Sequence, residues 1–134
     1  MLSAPITQKF THLALACPNL TEFRVECASF DARRLGDAVQ AIARACPHLL
    51  RLDLGANEIT DGALQIVSQA CPLLERLGLQ ESGIGDVAIQ AVAQSCARLE
   101  ELNVDGRANL TDAAFLAVAQ GCPRLKSLII WVSF

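Results

Sequence analysis

Apolar positions along this chain follow two alternating rhythms. In the first they recur at helical spacing, as Phe10/Leu13, Val39/Ile42, Leu64/Val67, Ile89/Val92 and Phe115/Val118, each pair seven and four residues ahead of a cysteine. That spacing sets the pair and its cysteine on one face of a helix. In the second, Phe23/Val25, Leu52/Leu54, Leu77/Leu79, Leu102/Val104 and Leu128/Ile130 alternate with mostly polar neighbours, the period of a strand. The rhythms change over at Cys17, Cys46, Cys71, Cys96 and Cys122. Proline follows four of these cysteines and Ala97 follows the other. Proline cannot continue a helix, so each changeover predicts a helix end and a turn into a short strand.

The five cysteines are separated by 29, 25, 25 and 26 residues. A fixed period of this size is the mark of a stacked repeat, in which no unit hides its apolar face alone and neighbours build one continuous core. Ahead of the helices sit Ile59-Thr60-Asp61, Ile84-Gly85-Asp86 and Leu110-Thr111-Asp112, where Thr or Asp is expected to cap the first turn. Leu35-Gly36-Asp37 is the corresponding set in the first loop, displaced by one residue, and the longer segment from Cys27 to Arg34 accounts for the spacing of 29. The expected organisation is a single α/β solenoid over residues 1–134, with a partial repeat over about 1–16, repeats starting near Cys17, Cys46, Cys71 and Cys96, and a half-repeat at 122–134.

The frame C-P-x-L-x-x-L-x-L, then I-T-D, then a helix running to the next cysteine resembles the cysteine-containing leucine-rich repeat family. Its closest expression is Cys46-Pro47-His48-Leu49-Leu50-Arg51-Leu52-Asp53-Leu54, continuing to Ile59-Thr60-Asp61. The resemblance implies a ribonuclease-inhibitor-like horseshoe: a right-handed β-α superhelix forming a short arc, with a parallel sheet on its concave face. The family usually carries Cys or Asn three residues after the last strand leucine. Here the position holds Ala28, Asn57, Ser82 and Arg107, so only Asn57 is expected to bond the backbone of its loop. Relatives of this type include the leucine-rich-repeat F-box proteins, which recruit substrates to ubiquitin ligases, and an inhibitor of mitotic exit. About 16 residues precede Cys17, and none of them resembles an F-box. What the resemblance implies is a non-enzymatic protein–protein interaction module like the substrate-recognition part of such a receptor. A structural or assembly subunit of a larger complex is the alternative.

Composition narrows the chemistry. Ala and Leu supply 21 and 20 of the 134 residues, and aromatics only 4%, so the core is filled by small and branched aliphatics. At 52% hydrophobic and 19% charged, the chain is no disordered segment. Its net charge of −3 comes without a basic cluster, which argues against nucleic acid. No apolar run approaches a membrane span and the start has no secretory pattern, so a cytoplasmic or nuclear protein is expected.

Each candidate for site chemistry has a simpler explanation. Equivalent cysteines on successive packed helices stand too far apart for disulfides, and buried free thiols are expected, with Cys27 outside the ladder. Cys46 and His48 form a single pair where a zinc site needs two. Gly83-Ile84-Gly85-Asp86-Val87-Ala88 fits a dinucleotide fingerprint, yet it is one variant of the repeat loop, and Asp86 puts negative charge where pyrophosphate would lie. The glycosylation sequons at Asn19 and Asn109 contain core leucines and read as coincidence. With His12 and His48 as the two histidines and no tyrosine, no catalytic constellation forms. No cofactor or metal is expected.

Function is expected on the strand residues that alternate with the core frame and line the concave face. Those chosen as partner-binding are Arg24, Arg51, Asp53, Arg76, Gln80, Glu101, Asn103, Asp105, Ile129 and Trp131. Arginines in the first three strands and acids around Glu100, Glu101 and Asp105 predict a face split by charge, suited to a protein partner of mixed charge. The last strand, Leu128-Ile129-Ile130-Trp131-Val132-Ser133-Phe134, is apolar on both faces, and homo- or hetero-association through this edge is expected, anchored by Trp131.

Overall fold

A computed structural model describes residues 6–25, 32–55, 59–80, 82–105 and 110–131. Helix and strand alternate throughout: α1 (Ile6–Ala16), β1 (Glu22–Arg24), α2 (Ala32–Ala45), β2 (Arg51–Asp53), α3 (Asp61–Ala70), β3 (Arg76–Leu79), α4 (Asp86–Ser95), β4 (Glu101–Asp105), α5 (Asp112–Gly121) and β5 (Ser127–Trp131). The strands form one parallel sheet in sequence order, β1-β2-β3-β4-β5. Each helix packs against the next along the chain. The molecule is therefore a leucine-rich-repeat solenoid of two layers, a sheet and a row of helices. No described helix is long and apolar enough to cross a membrane.

Register follows the repeat. Phe23, Leu52, Leu77, Leu102 and Leu128 lie side by side across the five strands. Leu52, Leu54, Leu77, Leu79, Leu102 and Val104 point into the core, where they meet Val39, Ile42, Leu64, Val67, Ile89 and Val92 from the helices. One continuous apolar cluster runs from Ala14 to Cys122. Burying each leucine contributes about 1.5–3 kcal/mol, which is how a chain with so few aromatics holds together.

Each turn is stitched to its neighbour by the same atoms. The Thr21 carbonyl accepts from Leu50 and Arg51, that of Leu50 from Glu75 and Arg76, that of Glu75 from Glu100 and Glu101, and that of Glu100 from Lys126 and Ser127, at 2.7–3.0 Å. The cysteines form a parallel line of weak donors. Cys46 Sγ donates to the Cys17 carbonyl (3.4 Å), Cys71 to Cys46 (3.8 Å), Cys96 to Cys71 (3.7 Å) and Cys122 to Cys96 (3.8 Å). All five are free thiols, Cys17 half-buried and the rest buried. Cys27 lies outside the described residues.

Two local expectations are corrected. Leu35-Gly36-Asp37 is not a cap, because α2 already begins at Ala32. Ala32, Arg33 and Arg34 favour helix, and Leu35 falls on the stripe that continues through Ala38, Val39 and Ile42. Gly36 instead allows α2 to approach α3, since a Cβ there would lie 3.1 Å from the Ala63 Cβ. Ser82 does bond the backbone: its buried hydroxyl donates to the Leu79 carbonyl. Ala28, Asn57 and Arg107 lie outside the described residues.

Close helix approach generates a prediction of opposite signs at two glycines. A Cβ on Gly121 would fall on the carbonyl oxygen of Ala93, whereas one on Gly62, exposed in the first turn of α3, meets nothing within 4 Å. Thermal melting of Gly121→Ala is expected to show a loss of about 1–3 kcal/mol from overpacking. Gly62→Ala is expected to gain about 0.4–1 kcal/mol by restricting the unfolded chain. A stabilised Gly121→Ala would remove the close contact from the description of α4 and α5.

Burial pushes the Cys71 and Cys96 thiols up from 9.0 to about 12, with neighbouring cysteines adding to the rise. A raised folded pKa keeps the thiols protonated in the native state, while the unfolded chain ionises above 9. This contribution is full below pH 9 and is lost as the pH rises towards about 12. The melting midpoint is expected to fall across that window, less steeply in Cys71→Ala and Cys96→Ala than in the parent.

Candidate protein-binding face

Side chains that alternate with the core frame emerge on the open face of the sheet and border a hollow of about 210 Å³. Seven of the ten residues expected from the sequence line it: Arg24, Arg51, Asp53, Arg76, Glu101, Asn103 and Ile129. Gln80 lies beside it, its amide stretched across Gly55 so that a Cβ on that glycine would collide with it. Asp105 and Trp131 are register partners on β4 and β5, but their side chains lie outside the described residues.

The floor is made by glycine. At Gly78, on the central strand, a Cβ would stand 2.7 Å from Asp53 Oδ1 and 3.3 Å from Gln80 Oε1. Both polar side chains lean into the space that a larger residue would occupy. Asp53 is held there from two sides: Oδ1 accepts from the Gly55 amide at 3.0 Å and Oδ2 faces Arg24 Nε at 3.4 Å. Gln80 Oε1 is buried and has no hydrogen-bond partner among the described residues. The sequence pattern places Gly55 and Gly78 on this face without revealing that their bareness shapes it.

The face is not split by charge as the sequence suggests. Arg24 meets Asp53, Arg51 Nη1 meets Glu22 Oε2 at 3.8 Å, and Arg76 Nε meets Glu101 Oε2 at 2.5 Å. Each pair joins adjacent strands, because residues one repeat apart, 29 between β1 and β2 and 25 between β3 and β4, stand in register. Along the first row the order is Glu22, Arg51, Arg76, Glu101, so the two arginines are central neighbours, each bound to an acid on its outer side. The side chains of Arg51 and Arg76 are 48% and 52% exposed, and such pairs contribute only about 0.2–1 kcal/mol each. They order the arginines while leaving them easily re-paired with another molecule's groups.

The loops at the helix starts cap through threonine as expected, and their aspartates make a second set of bonds. Thr60 and Thr111 cap their own helices, accepting from Ala63 N at 3.1 Å and Ala113 N at 3.2 Å. The aspartates reach to the following repeat: Asp61 Oδ1 accepts from the Gly85 amide at 2.9 Å, and Asp86 accepts from Thr111 N at 2.8 Å and Thr111 Oγ1 at 2.5 Å. These bonds from Thr111 hold the Asp86 carboxyl below its usual range. In the glycine-rich loop the Gly85 amide, which a phosphate would need, is thus already bound to a carboxylate. Among the described residues no cluster of three or more His, Cys, Asp or Glu is arranged to hold a metal.

A parallel sheet, a helix row and a cysteine at every return place this chain among the leucine-rich-repeat proteins. It belongs to the family described as the leucine-rich repeats of FBD-associated F-box protein At5g56370, whose profile matches residues 3–131. No curated protein matches the sequence. Among solved structures, the tropomodulin C-terminal domain from Caenorhabditis elegans is similar with a TM-score of 0.71 at 14% identity, over 96% of this chain and 83% of that one. Leiomodin-1 Actin-Binding Site 2 gives a TM-score of 0.70 at 14% identity, over 98% of this chain and 83% of that one. At such identity the likeness is one of fold.

Filling the hollow tests its geometry. Gly78→Val is expected to displace Asp53 and Gln80 and to lower the melting midpoint by an amount that Gly78→Ala only partly reproduces. Equal stability of all three proteins would show that the Asp53 and Gln80 side chains are not held over Gly78.

Proposed function

We propose that this chain is a non-enzymatic protein-interaction module whose sheet face receives a protein partner, and that it acts as the substrate-recognition part of an F-box-type ubiquitin ligase receptor. The observation that carries this reading is the hollow over Gly78, bordered by exposed arginines, in a chain whose family is that of an F-box-associated protein. Extended sheet faces of repeat stacks serve as binding surfaces. Arginine is favoured at interface hot spots, and Arg51 and Arg76 stand side by side at the centre of the face. Arg24, Asp53, Gln80, Glu101, Asn103 and Asp105 supply the polar surround, with Ile129 and Trp131 as the apolar flank.

A second reading, a subunit held in a larger assembly through its last strand, is favoured by Leu128, Ile129 and Ile130, which are 41%, 48% and 42% exposed. The similar leiomodin-1 structure is named for an actin-binding site, which makes actin a partner to include in the same experiment.

Affinity capture with the parent, with an Arg51→Ala/Arg76→Ala double variant, and with Trp131→Asp separates the readings. For a receptor, ubiquitin-ligase adaptor and cullin subunits accompany the parent, and substrate proteins drop at least about 10-fold with the arginine variant, the loss of a hot spot. For an assembly subunit, the arginine variant retains its companions in fixed proportion and Trp131→Asp loses them. Full retention by the arginine variant, with no ligase subunit captured, would refute the receptor reading.

A further inference from the structure

Three features of the sheet face point beyond the chain. The first is Gly78. Glycine weakens a strand interior and often marks a bulge or the close approach of a ligand or another backbone. There is no bulge at Gly78, because β3 keeps unbroken register through it with both β2 and β4. The second is a pair of like charges. Arg51 and Arg76 are register partners on strands about 4.8 Å apart, a placement that costs stability. Arg51 uses Nη1 on Glu22 and Arg76 uses Nε on Glu101, and each guanidinium has further N–H groups for a second acceptor. An anion between the two would offset their repulsion. The third is Gln80 Oε1, which is buried with no hydrogen-bond partner among the described residues. It lies 3.3 Å from the point where a Cβ on Gly78 would stand, so a donor arriving over Gly78 would satisfy it.

We propose that the hollow over Gly78 takes an extended acidic segment of the protein partner, with one Asp or Glu side chain bridging Arg51 and Arg76 and a main-chain N–H donating to Gln80 Oε1. The proposal rests on the sheet face being the binding face, as given above, and adds the chemistry of its occupant. Arginine matches a carboxylate through paired N–H groups. Charge then selects among anions. The row Glu22, Arg51, Arg76, Glu101 is formally neutral, and the Asp53 carboxylate stands beside Gly78 facing Arg24. A singly charged carboxylate meets less repulsion there than a doubly charged phosphate. A lysine would set like charge against the arginines. Size selects a polypeptide: about 210 Å³ is below the roughly 300–1,000 Å³ of pockets for drug-sized ligands, and suits one side chain with its backbone. Asn103, in register with Gly78 and lining the hollow, offers its amide to the same main chain.

Binding of short peptide pools to the full chain tests it. Each pool is degenerate except at its centre, which is fixed as Asp, Glu, Asn, Gln, Lys or phosphoserine. The Asp and Glu pools are expected to be retained at least about 10-fold above the Asn and Gln pools, and the Lys pool least of all. Arg51→Gln/Arg76→Gln removes only exposed ion pairs, so it is expected to melt near the parent and to lose the acid preference. Gln80→Met removes the buried acceptor and is expected to weaken the Asp and Glu pools about 3-fold while keeping their preference. An acid preference that survives in the arginine variant would overturn the proposal. A phosphoserine pool retained above the Asp and Glu pools would overturn the choice of carboxylate, and unchanged binding by Gln80→Met would overturn the main-chain bond. If acidic and amide pools are retained equally while Arg51→Ala/Arg76→Ala still loses substrate proteins in affinity capture, the acidic segment fails and the sheet-face reading stands. If neither pools nor captured proteins respond to the arginines, both fail.

Discussion

The constraint on which this molecule rests is that a strand-and-helix unit of about 25 residues cannot cover its own apolar side. A single unit offers a leucine pair from the strand and an aliphatic pair from the helix, and these are buried only when the next unit is laid over them. Everything regular in the structure follows from that. The sheet is parallel and in sequence order because each unit is covered by the one that follows it. The cysteine recurs because the helix end must turn back to the sheet at a site with room for one small, weakly donating side chain, buried at four of the five returns. The core is one cluster with no break because no repeat owns a private share of it.

The same constraint divides the work of the two sides of each strand. Inward positions are committed to packing, while the alternate strand residues carry Arg24, Arg51, Asp53, Arg76 and Glu101 and the bare Gly78. The arginines there are tethered to acids one strand away, by bonds weak enough to exchange. In β5, Leu128 and Ile130 are exposed, although their register partners on β4, Leu102 and Val104, are buried.

Much of the fold was legible because it is periodic. The spacings around Cys46, Cys71 and Cys96 led directly to α3, α4, β3 and β4, and the alternation of Leu77 and Leu79 with Arg76 and Gly78 told which side chains would reach the sheet face. The first loop was misread at Leu35-Gly36-Asp37, where a likeness to a cap hid residues that continue a helical stripe. A glycine between a leucine and an aspartate reads as a turn, and only the approach of α3 explains why it sits within a helix. On the site, residue choice came from the alternation and charge layout was misjudged, because acids and bases distant along the chain are neighbours across strands.

By itself the sequence determined the repeat, the element within each repeat and the identity of the core, since these depend on patterns a few residues long, renewed every turn. Tertiary structure alone decided which group completes which bond: Asp61 serving Gly85, Asp86 serving Thr111, Arg76 held by Glu101, and Asp53 and Gln80 leaning over Gly78. Those partners belong to different repeats. Their meeting depends on strand register and on how closely helices approach, both fixed by packing between units and written in no single one of them.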